Sequence, residues 1–449
     1  MKLENIFGDS YYSKKLEESL EELLPSVKSN GLNIQVIKEL FLKPYLPSTE
    51  ICREFDLTKA DLRKTYSFIR SSQKAKELST FTPYPFLITT MERLSKNGER
   101  ISRIIKGEKP IAPETLELFI SQSCNAKCKF CYRNGHSYDQ EKNILSTPEY
   151  ICLINEFSDM NGQNLDVSGG LEPLLSPSLL DVLKTGVKRK LKVSLYTNGI
   201  ALNSTNVIAQ LVKIHKVRVS LNAADRKGYI EIMGVDEFGS VTKNLKKLVE
   251  TKRRTKSNVK VGAGFVVVQQ NYKSIPEALT LAQELKLDFF DLRAVESKNV
   301  EDFNEEQRSE LRSILTEVRK KKLLNEYGTL SVSIADTFNE IIFPKRDYMQ
   351  YIKKDLVNAL SFFRITVTHH GRVYALNLIG QPSREDKRFL LGKISLNSDL
   401  SSILSNKTDV PYDENSLLAH DITIVVALSK LISDLEFGIN LVENPFNWK

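Results

Sequence analysis

The stretch Ser123 to Tyr132 reads SCNAKCKFCY and sets Cys124, Cys128 and Cys131 at C-x3-C-x2-C spacing. Three thiols this close in a chain with no disulfide framework point to metal or redox chemistry before packing. A structural zinc site takes four nitrogen or sulfur ligands, often as two separated pairs. The two remaining cysteines, Cys52 and Cys152, are isolated and read as plain core residues. A cubane iron–sulfur cluster takes one ligand per iron, usually a cysteine thiolate. Three cysteines fill three corners and leave one iron open. An open iron points to chemistry and not to electron transfer alone.

The elements that must position this loop follow from local pattern. Leu116 to Ile120 is a short apolar run directly before the cysteines, which places them at the C-terminal end of a first strand, where active sites of parallel α/β folds gather. Ser146 with Glu149 forms a capping box that opens an amphipathic helix over Thr147 to Phe157. Further strands are expected at Asn164 to Val167, Lys192 to Thr197, Val217 to Leu221, Val259 to Val268 and Phe289 to Leu292, with helices between. Gly262 and Gly264 in the fifth strand suggest close backbone approach. Six such βα units are fewer than the eight of a closed barrel. The expected fold is therefore α/β: a partial (β/α)6 TIM-type barrel over residues 109–300, an N-terminal helical domain over 1–108 and a C-terminal α+β substrate or cover domain over 301–449.

The spacing C-x3-C-x-aromatic-C resembles the signature of the radical SAM superfamily. The resemblance implies that Cys124, Cys128 and Cys131 hold a [4Fe-4S] cluster whose open iron chelates S-adenosylmethionine (SAM). One electron into the sulfonium then gives methionine and a 5′-deoxyadenosyl radical, which calls for a donor such as flavodoxin or ferredoxin. Phe130 would lie beside the adenine and the Tyr132 backbone would contact it. Ser168-Gly169-Gly170-Leu171-Glu172-Pro173 resembles the family's Gly-Gly-Glu-Pro motif for the SAM amine, with Leu171 inserted. Either the Glu172 side chain or the backbone of Ser168, Gly169 and Gly170 makes that contact. Asn198, within Thr197-Asn198-Gly199, resembles the family's third strand end. Ser220 and Asn222 would reach the SAM ribose and carboxylate, or else close a strand-end turn. Val266 would face adenine. Arg293 would meet SAM or an anionic substrate, or pair with Glu296 on the surface.

The flanks carry less chemistry. In Pro47 to Ser71, apolar residues frame a break at Asp56 to Thr58, and Thr58 with Asp61 caps a second helix. This pattern suggests a helix-turn-helix, either a cover for the barrel, a DNA-binding element or a winged-helix grip on a leader peptide. Gly107 to Pro113 reads as a linker, and Asn304 to Leu324 as a helix. Phe363 to Val367 and Arg372 to Leu376 read as a hairpin around His369-His370-Gly371, the two histidines solvated at the turn. With Gly392-Lys-Ile this resembles the C-terminal extension that holds auxiliary clusters in some radical SAM enzymes. Ala375 stands where those chains place a cysteine, so one cluster is expected. His136 is the nearer candidate for a proton donor. Asp421 to Gly438 is apolar and has no assigned place.

The 449 residues are 41% hydrophobic and 27% charged with net charge +8, an ordinary globular composition. The basic runs Lys188–Lys192, Lys243–Lys256 and Arg319–Lys322 lack interleaved aromatics and read as solvated helix faces, without a nucleic-acid surface. No export signal or membrane span is indicated, and a cytoplasmic protein is expected. The expected function is a radical enzyme of specialised metabolism acting on a small molecule, with a nucleotide-linked sugar in first place. Length, single cluster and the SGGLEP spelling resemble the TDP-amino-sugar deaminases of desosamine biosynthesis. A peptide maturase and a cluster-gated DNA-binding sensor are the alternatives.

Overall fold

The structure, a computed structural model, describes residues 10–81, 84–108, 112–131, 144–168, 170–295, 303–335, 338, 350–375, 390–394, 399–405 and 419–447. One sheet organises it, built from β1 (Thr115–Phe119), β2 (Asn164–Ser168), β3 (Lys192–Thr197), β4 (Lys216–Ser220), β5 (Lys260–Val267), β6 (Phe289–Ala294), β7 (Ser331–Ile334), β8 (Arg364–Val367), β9 (Arg372–Tyr374) and β10 (Leu390–Lys393). Their order is β10-β9-β8-β1-β2-β3-β4-β5-β6-β7. The strands β1 to β7 run parallel in chain order, and β8 adds in parallel to the other side of β1. The six βα units foreseen from β1 to β6 are thus extended at both sides. The hairpin expected around Gly371 forms, as antiparallel β8 and β9, and its first arm is at once a strand of the parallel sheet.

Sixteen α-helices lie among the described residues. Before the sheet come α1 (Ser10–Ser29), α2 (Ile34–Leu42), α3 (Ser48–Glu54), α4 (Lys59–Ser71), α5 (Gln73–Glu77), α6 (Pro85–Ser95) and α7 (Gly98–Ile105). Within and after it come α8 (Thr147–Asp159), α9 (Leu179–Lys188), α10 (Thr205–Leu211), α11 (Arg226–Met233), α12 (Phe238–Arg254), α13 (Ile275–Glu284), α14 (Glu305–Leu323), α15 (Leu400–Ser405) and α16 (Ala419–Glu436). The capping boxes read from sequence form at Thr58 with Asp61 and at Ser146 with Glu149. None of the helices described is long and apolar enough to cross a membrane.

The strands alternate, and the sense of the alternation sets the fold. Leu116, Leu118, Leu165, Val167, Val217, Val219, Val261, Phe265, Phe290 and Leu292 face the surrounding helices and form one apolar core. The intervening Glu117, Asp166, Ser168, Tyr196, Arg218, Asp291 and Arg364 meet one another on the inner face. A period of two sends every second side chain inward. The inside of this open barrel is therefore polar, unlike the filled apolar layers of a closed eight-stranded one.

A second core joins the two ends of the chain. Leu16, Ile37, Leu40, Tyr66 and Met91 from the N-terminal helices pack with Phe363 and Tyr374 and with Val425, Leu428 and Leu431 of α16. The apolar stretch from Asp421 thereby finds its place, against α6, α3 and the 3-10 turn Lys354–Phe362. Within this core Lys430 pairs with Asp434, both fully buried, and Asp434 also accepts the Ser48 backbone N–H at 2.8 Å. Arg63 of α4 bonds Glu443 at 3.0 Å and the Gly438 carbonyl, and Arg70 bonds the Glu443 carbonyl. The helix-turn-helix is present as α3 and α4, with two of the basic residues of α4 engaged by the C-terminal segment. The described residues of this region form helices throughout, without the strands of a wing.

Two sequence readings are corrected. His369 and His370 are 6% and 3% exposed, not solvated, with ring centroids 4.0 Å apart. Their turn is covered because Leu145 N–H bonds the His369 carbonyl and Ile394 N–H bonds the Gly371 carbonyl, each at 2.8 Å. Cys152 is exposed on α8 and is not a core residue, whereas Cys52 is half-buried against the second core. An aqueous helix face tolerates a lone thiol, and sequence periodicity at Cys152 was too weak to place it.

Removing one partner of a buried ion pair leaves the other charge uncompensated, at a cost of about 3–5 kcal/mol. Asp434→Ala, which also deprives Ser48 N–H of its acceptor, is expected to lower the unfolding free energy measured by urea titration by that order. The double variant Lys430→Met, Asp434→Leu should recover most of the loss. A double variant as unstable as Asp434→Ala alone would show that the pair does more than neutralise itself.

Candidate active site

The cysteine loop leaves the C-terminal end of β1 and is tied down by backbone and side-chain bonds to two other strand ends and to the end of one helix. Ser121 Oγ donates to the Ser123 carbonyl at 3.0 Å, which turns the chain sharply out of the strand. The same carbonyl accepts Glu172 N–H at 3.0 Å from the segment after β2. Asn198, at the end of β3, donates from Nδ2 to Asn125 Oδ1 at 2.7 Å and lies 3.7 Å from Cys124 Sγ. The C-terminal end of α11 then receives the loop: Lys127 N–H bonds the Met233 carbonyl at 2.8 Å and Lys129 N–H the Ile232 carbonyl at 2.9 Å. Gly234 permits this approach, since a Cβ there would come 2.5 Å from the Lys127 carbonyl oxygen and its φ is +68°.

Cys124, Cys128 and Cys131 are all half-buried on this loop. Cys131 N–H bonds the Cys128 carbonyl at 3.1 Å, closing the C-x2-C turn. Burial, with the nearby charges of Cys131 and Cys124, pushes the Cys128 thiol up to about 12, and burial pushes Cys124 up as well. Among the described residues no three His, Cys, Asp or Glu side chains converge on a single ion. The charges that Cys131 and Cys124 exert on Cys128 place the three thiols near one another, as ligands at separate corners of a multi-iron cluster must be. The Tyr229 hydroxyl of α11 supports the same fit: it is buried without a hydrogen-bond partner, and burial first, then the charge of Cys128, push its pKa up and keep its proton on. A cluster sulfur or a ligand on this side would give that donor an acceptor.

Glu172 is the joint of the site. It is 2% exposed, and its carboxylate accepts Thr197 Oγ1–H at 2.5 Å, Asn198 N–H at 2.7 Å and Leu174 N–H at 3.0 Å. Burial raises its pKa, and these donors oppose the rise. Both carboxylate oxygens are engaged inside the protein, so the side chain fastens the ends of β2 and β3 together. Gly170, half-buried just after β2, takes a positive φ of +50°. Gly169 and Tyr132, and with them His136, lie outside the described residues. Ser168 is buried and donates to Glu117 at 2.6 Å.

The remaining sequence candidates fall around β4 to β6. Asn222 is fully buried: its Oδ1 accepts Val266 N–H at 2.8 Å and its Nδ2 lies 3.2 Å from Met233 Sδ. It thus sets the end of β5 and does so from the protein interior. Ser220 and Arg293 are half-buried on the inner face, as is Val266, and Phe130 packs at the margin of the main core. Two residues were missed. Met233 stands between Asn222 and Cys128, its Sδ 3.6 Å from Cys128 Sγ, and Asn271 donates to the Asn222 and Val266 carbonyls at 2.9 Å each. The helix-ending Gly234 was the available signal for Met233. Asn271 lies in a plain turn and had none.

Residues 118–282 match the family model described as the radical SAM superfamily. The chain contains a radical SAM domain over this stretch. It is 22% identical over 353 residues to the dTDP-4-amino-4,6-dideoxy-D-glucose ammonia-lyase of Streptomyces venezuelae, covering 74% of this chain and 72% of that one. It is 27% identical over 225 residues to a probable GTP 3′,8-cyclase of Saccharolobus islandicus, covering 48% and 70%. Among solved structures, SuiB of Streptococcus suis bound to S-adenosylmethionine aligns with TM-score 0.53 at 16% identity over 80% of this chain and 79% of that one. SuiB bound to its precursor peptide SuiA aligns with the same score over 76% and 77%. These likenesses agree on a radical SAM partial barrel, and the family implies a [4Fe-4S] cluster and SAM.

Cys128→Ala is expected to abolish the brown absorbance of the anaerobically reconstituted protein and its SAM cleavage together; a variant keeping both would remove Cys128 from the ligand set. Glu172→Gln offers an acceptor oxygen on one side only and turns an N–H2 toward buried donors. A lost buried hydrogen bond costs about 1–3 kcal/mol, and SAM affinity should fall at least tenfold with iron content retained. Unchanged affinity and unchanged melting would show that the strand ends need no such joint.

Proposed function

We propose that this radical SAM enzyme uses Cys124, Cys128 and Cys131 to hold a single [4Fe-4S] cluster with SAM, and abstracts hydrogen from a small molecule, a nucleotide-linked sugar in first place. When bound, the cluster and SAM supply a 5′-deoxyadenosyl radical by one-electron cleavage. The chain's own residues do the rest. The loop of Ser123 to Cys131, fixed by Glu172 and Asn198, presents the three thiolates. The Gly170 backbone offers its polar groups to the SAM amine, Phe130 and Val266 border the adenine, and Ser220 and Asn198 orient the ribose and carboxylate side. Asn222, Asn271 and Met233 hold these strand ends in place from behind.

Three regions divide the work: 109–300 carries the first six strands of the barrel, 301–449 adds β7 to β10 to the same sheet, and 1–108 covers it together with α16. The core shared by the helices before the sheet and α16 after it supports this reading, since a cover fastened at both chain ends can keep water from a radical. A ferredoxin or flavodoxin would deliver the electron, and a reducing cytoplasm suits free thiols and an oxygen-sensitive cluster. The observation that carries the choice of substrate is the polar, cation-bearing inner face of the barrel, which suits a charged small molecule better than an apolar one. The ammonia-lyase likeness, spanning most of both chains, agrees with it. A peptide is the second reading, supported by the fold shared with SuiB, whose structure holds a precursor peptide.

The deciding experiment follows 5′-deoxyadenosine formation by the reconstituted protein with SAM and reductant, alone, with nucleotide sugars and with peptides encoded nearby. Formation raised at least tenfold by a nucleotide sugar is expected. Stimulation by a peptide alone would replace the sugar reading with the maturase one.

A further inference from the structure

Buried polar groups in proteins almost always find a partner, and a buried donor left without one is costly. Tyr229 of α11 departs from this pattern: the residue is fully buried, and its hydroxyl has no hydrogen-bond partner among the described residues. Its ring is held in place, with the Phe238 ring of the next helix 5.8 Å away between centroids. The helix is fixed at both ends. Asp225 accepts Gly228 N–H at 2.8 Å at its start, and its last carbonyls, of Ile232 and Met233, accept Lys129 and Lys127 N–H of the cysteine loop. The hydroxyl therefore stays where the fold puts it.

That place is the Cys128 side of the loop. Tyr229 and Met233 are four residues apart and share one face of α11, and Met233 Sδ lies 3.6 Å from Cys128 Sγ. Of the charges that act on Tyr229, that of Cys128 is the largest, ahead of Glu237, Glu172 and Cys124. The two sulfurs differ in what donates to them. Cys124 accepts the Ala126 N–H and has Asn198 Nδ2 at 3.7 Å. Cys128 accepts its own N–H, and its sulfur faces a thioether, which has no proton to give. Once Cys128 loses its proton to bind iron, that contact carries no hydrogen bond, while negative charge grows on the side where the unpaired hydroxyl stands.

We propose that the Tyr229 hydroxyl donates a hydrogen bond to sulfur at the Cys128 corner of the cluster and thereby raises the cluster's reduction potential, an assignment resting on the single-cluster reading above. A donor to cluster sulfur favours the reduced state, which carries one more negative charge. One electron from an iron–sulfur or flavin donor enters the cluster, and no covalent bond forms or breaks. The proton stays on the tyrosine, whose burial opposes its ionisation. Tyr229 in this way sets how readily an external donor reduces the cluster.

The test is an EPR-monitored redox titration of the full chain, reconstituted anaerobically with iron and sulfide and free of SAM. It compares the wild type with Tyr229→Phe, which removes the hydroxyl and keeps the ring. At equal iron content the variant's reduction equilibrium should move about tenfold against the reduced cluster, which for one electron is about 59 mV to the negative. Tyr327→Phe, which precedes β7 and so lies at the other end of the parallel strands, should leave the potential unchanged. Resonance Raman gives a second readout: transfer to heavy water should shift the iron–sulfur stretching bands of the wild type and shift them less in Tyr229→Phe. Before reconstitution, Tyr229→Phe should melt no lower than the wild type, because the hydroxyl it lacks has no partner there. Lower melting would reveal a partner within the protein and overturn the assignment. So would an unchanged potential, or a difference that arises only when SAM is added, which would make SAM the acceptor. A wild-type chain that takes up no cluster removes the cluster reading and the assignment with it. A loaded cluster with one potential in both proteins leaves that reading standing and removes Tyr229 alone.

Discussion

A buried carboxylate with three donors, Glu172, is the interaction on which the active face depends. Burial alone would make such a group costly to ionise, and here two backbone N–H groups and the Thr197 hydroxyl compensate it. Because the donors come from the segment after β2 and the end of β3, satisfying the carboxylate means holding those two strand ends in one relation. Its own N–H then fixes the Ser123 carbonyl at the head of the cysteine loop. Through Asn198, the same joint reaches the flank of Cys124. The position of the thiols is thus inherited from a network of which the cysteines themselves form a small part.

The second constraint is the sense of the strand alternation. With the apolar side chains directed outward to the helices, the interior must be satisfied by polar groups, and the pairs of Arg364 with Asp166 and Glu117 do this on one side. A barrel of this kind does not fill its own centre with aliphatic layers. It is stable because the outer core is large and because its inner charges answer one another in part, which leaves the inner face chemically available. The same device explains the glycines of β5: they provide space in a crowded polar interior and not flexibility.

The two ends of the chain meet in a single core, so the N-terminal helices and α16 form one body against the barrel's flank. Its buried Lys430–Asp434 pair reaches the start of α3 through Ser48. Arg63 and Arg70, which a DNA-reading helix would direct to phosphates, are turned to Glu443 and neighbouring carbonyls. The helix-turn-helix is legible as a shape, and two of its arginines are taken up in packing against the C-terminal segment.

By itself the sequence determined the local elements and the radical SAM resemblance. Cysteine spacing, capping boxes at Thr58 and Ser146, and strands ending in Ser-Gly-Gly, Thr-Asn-Gly and Ser-Leu-Asn are short-range signals, set by residues within a few positions of one another. What tertiary structure alone decided were the relations across long separations: β8 lying beside β1, Met233 beside Cys128, Asn222 turned inward to Val266, and the His369–His370 turn buried under Leu145. Alternation in KVRVS and FFDLRA shows that every second side chain shares a face, but not which face meets solvent, nor which carboxylate meets which arginine. Those choices depend on the register and curvature of the whole sheet. No window of local sequence contains them, because the partners lie scores to hundreds of residues apart and are joined only when the barrel forms.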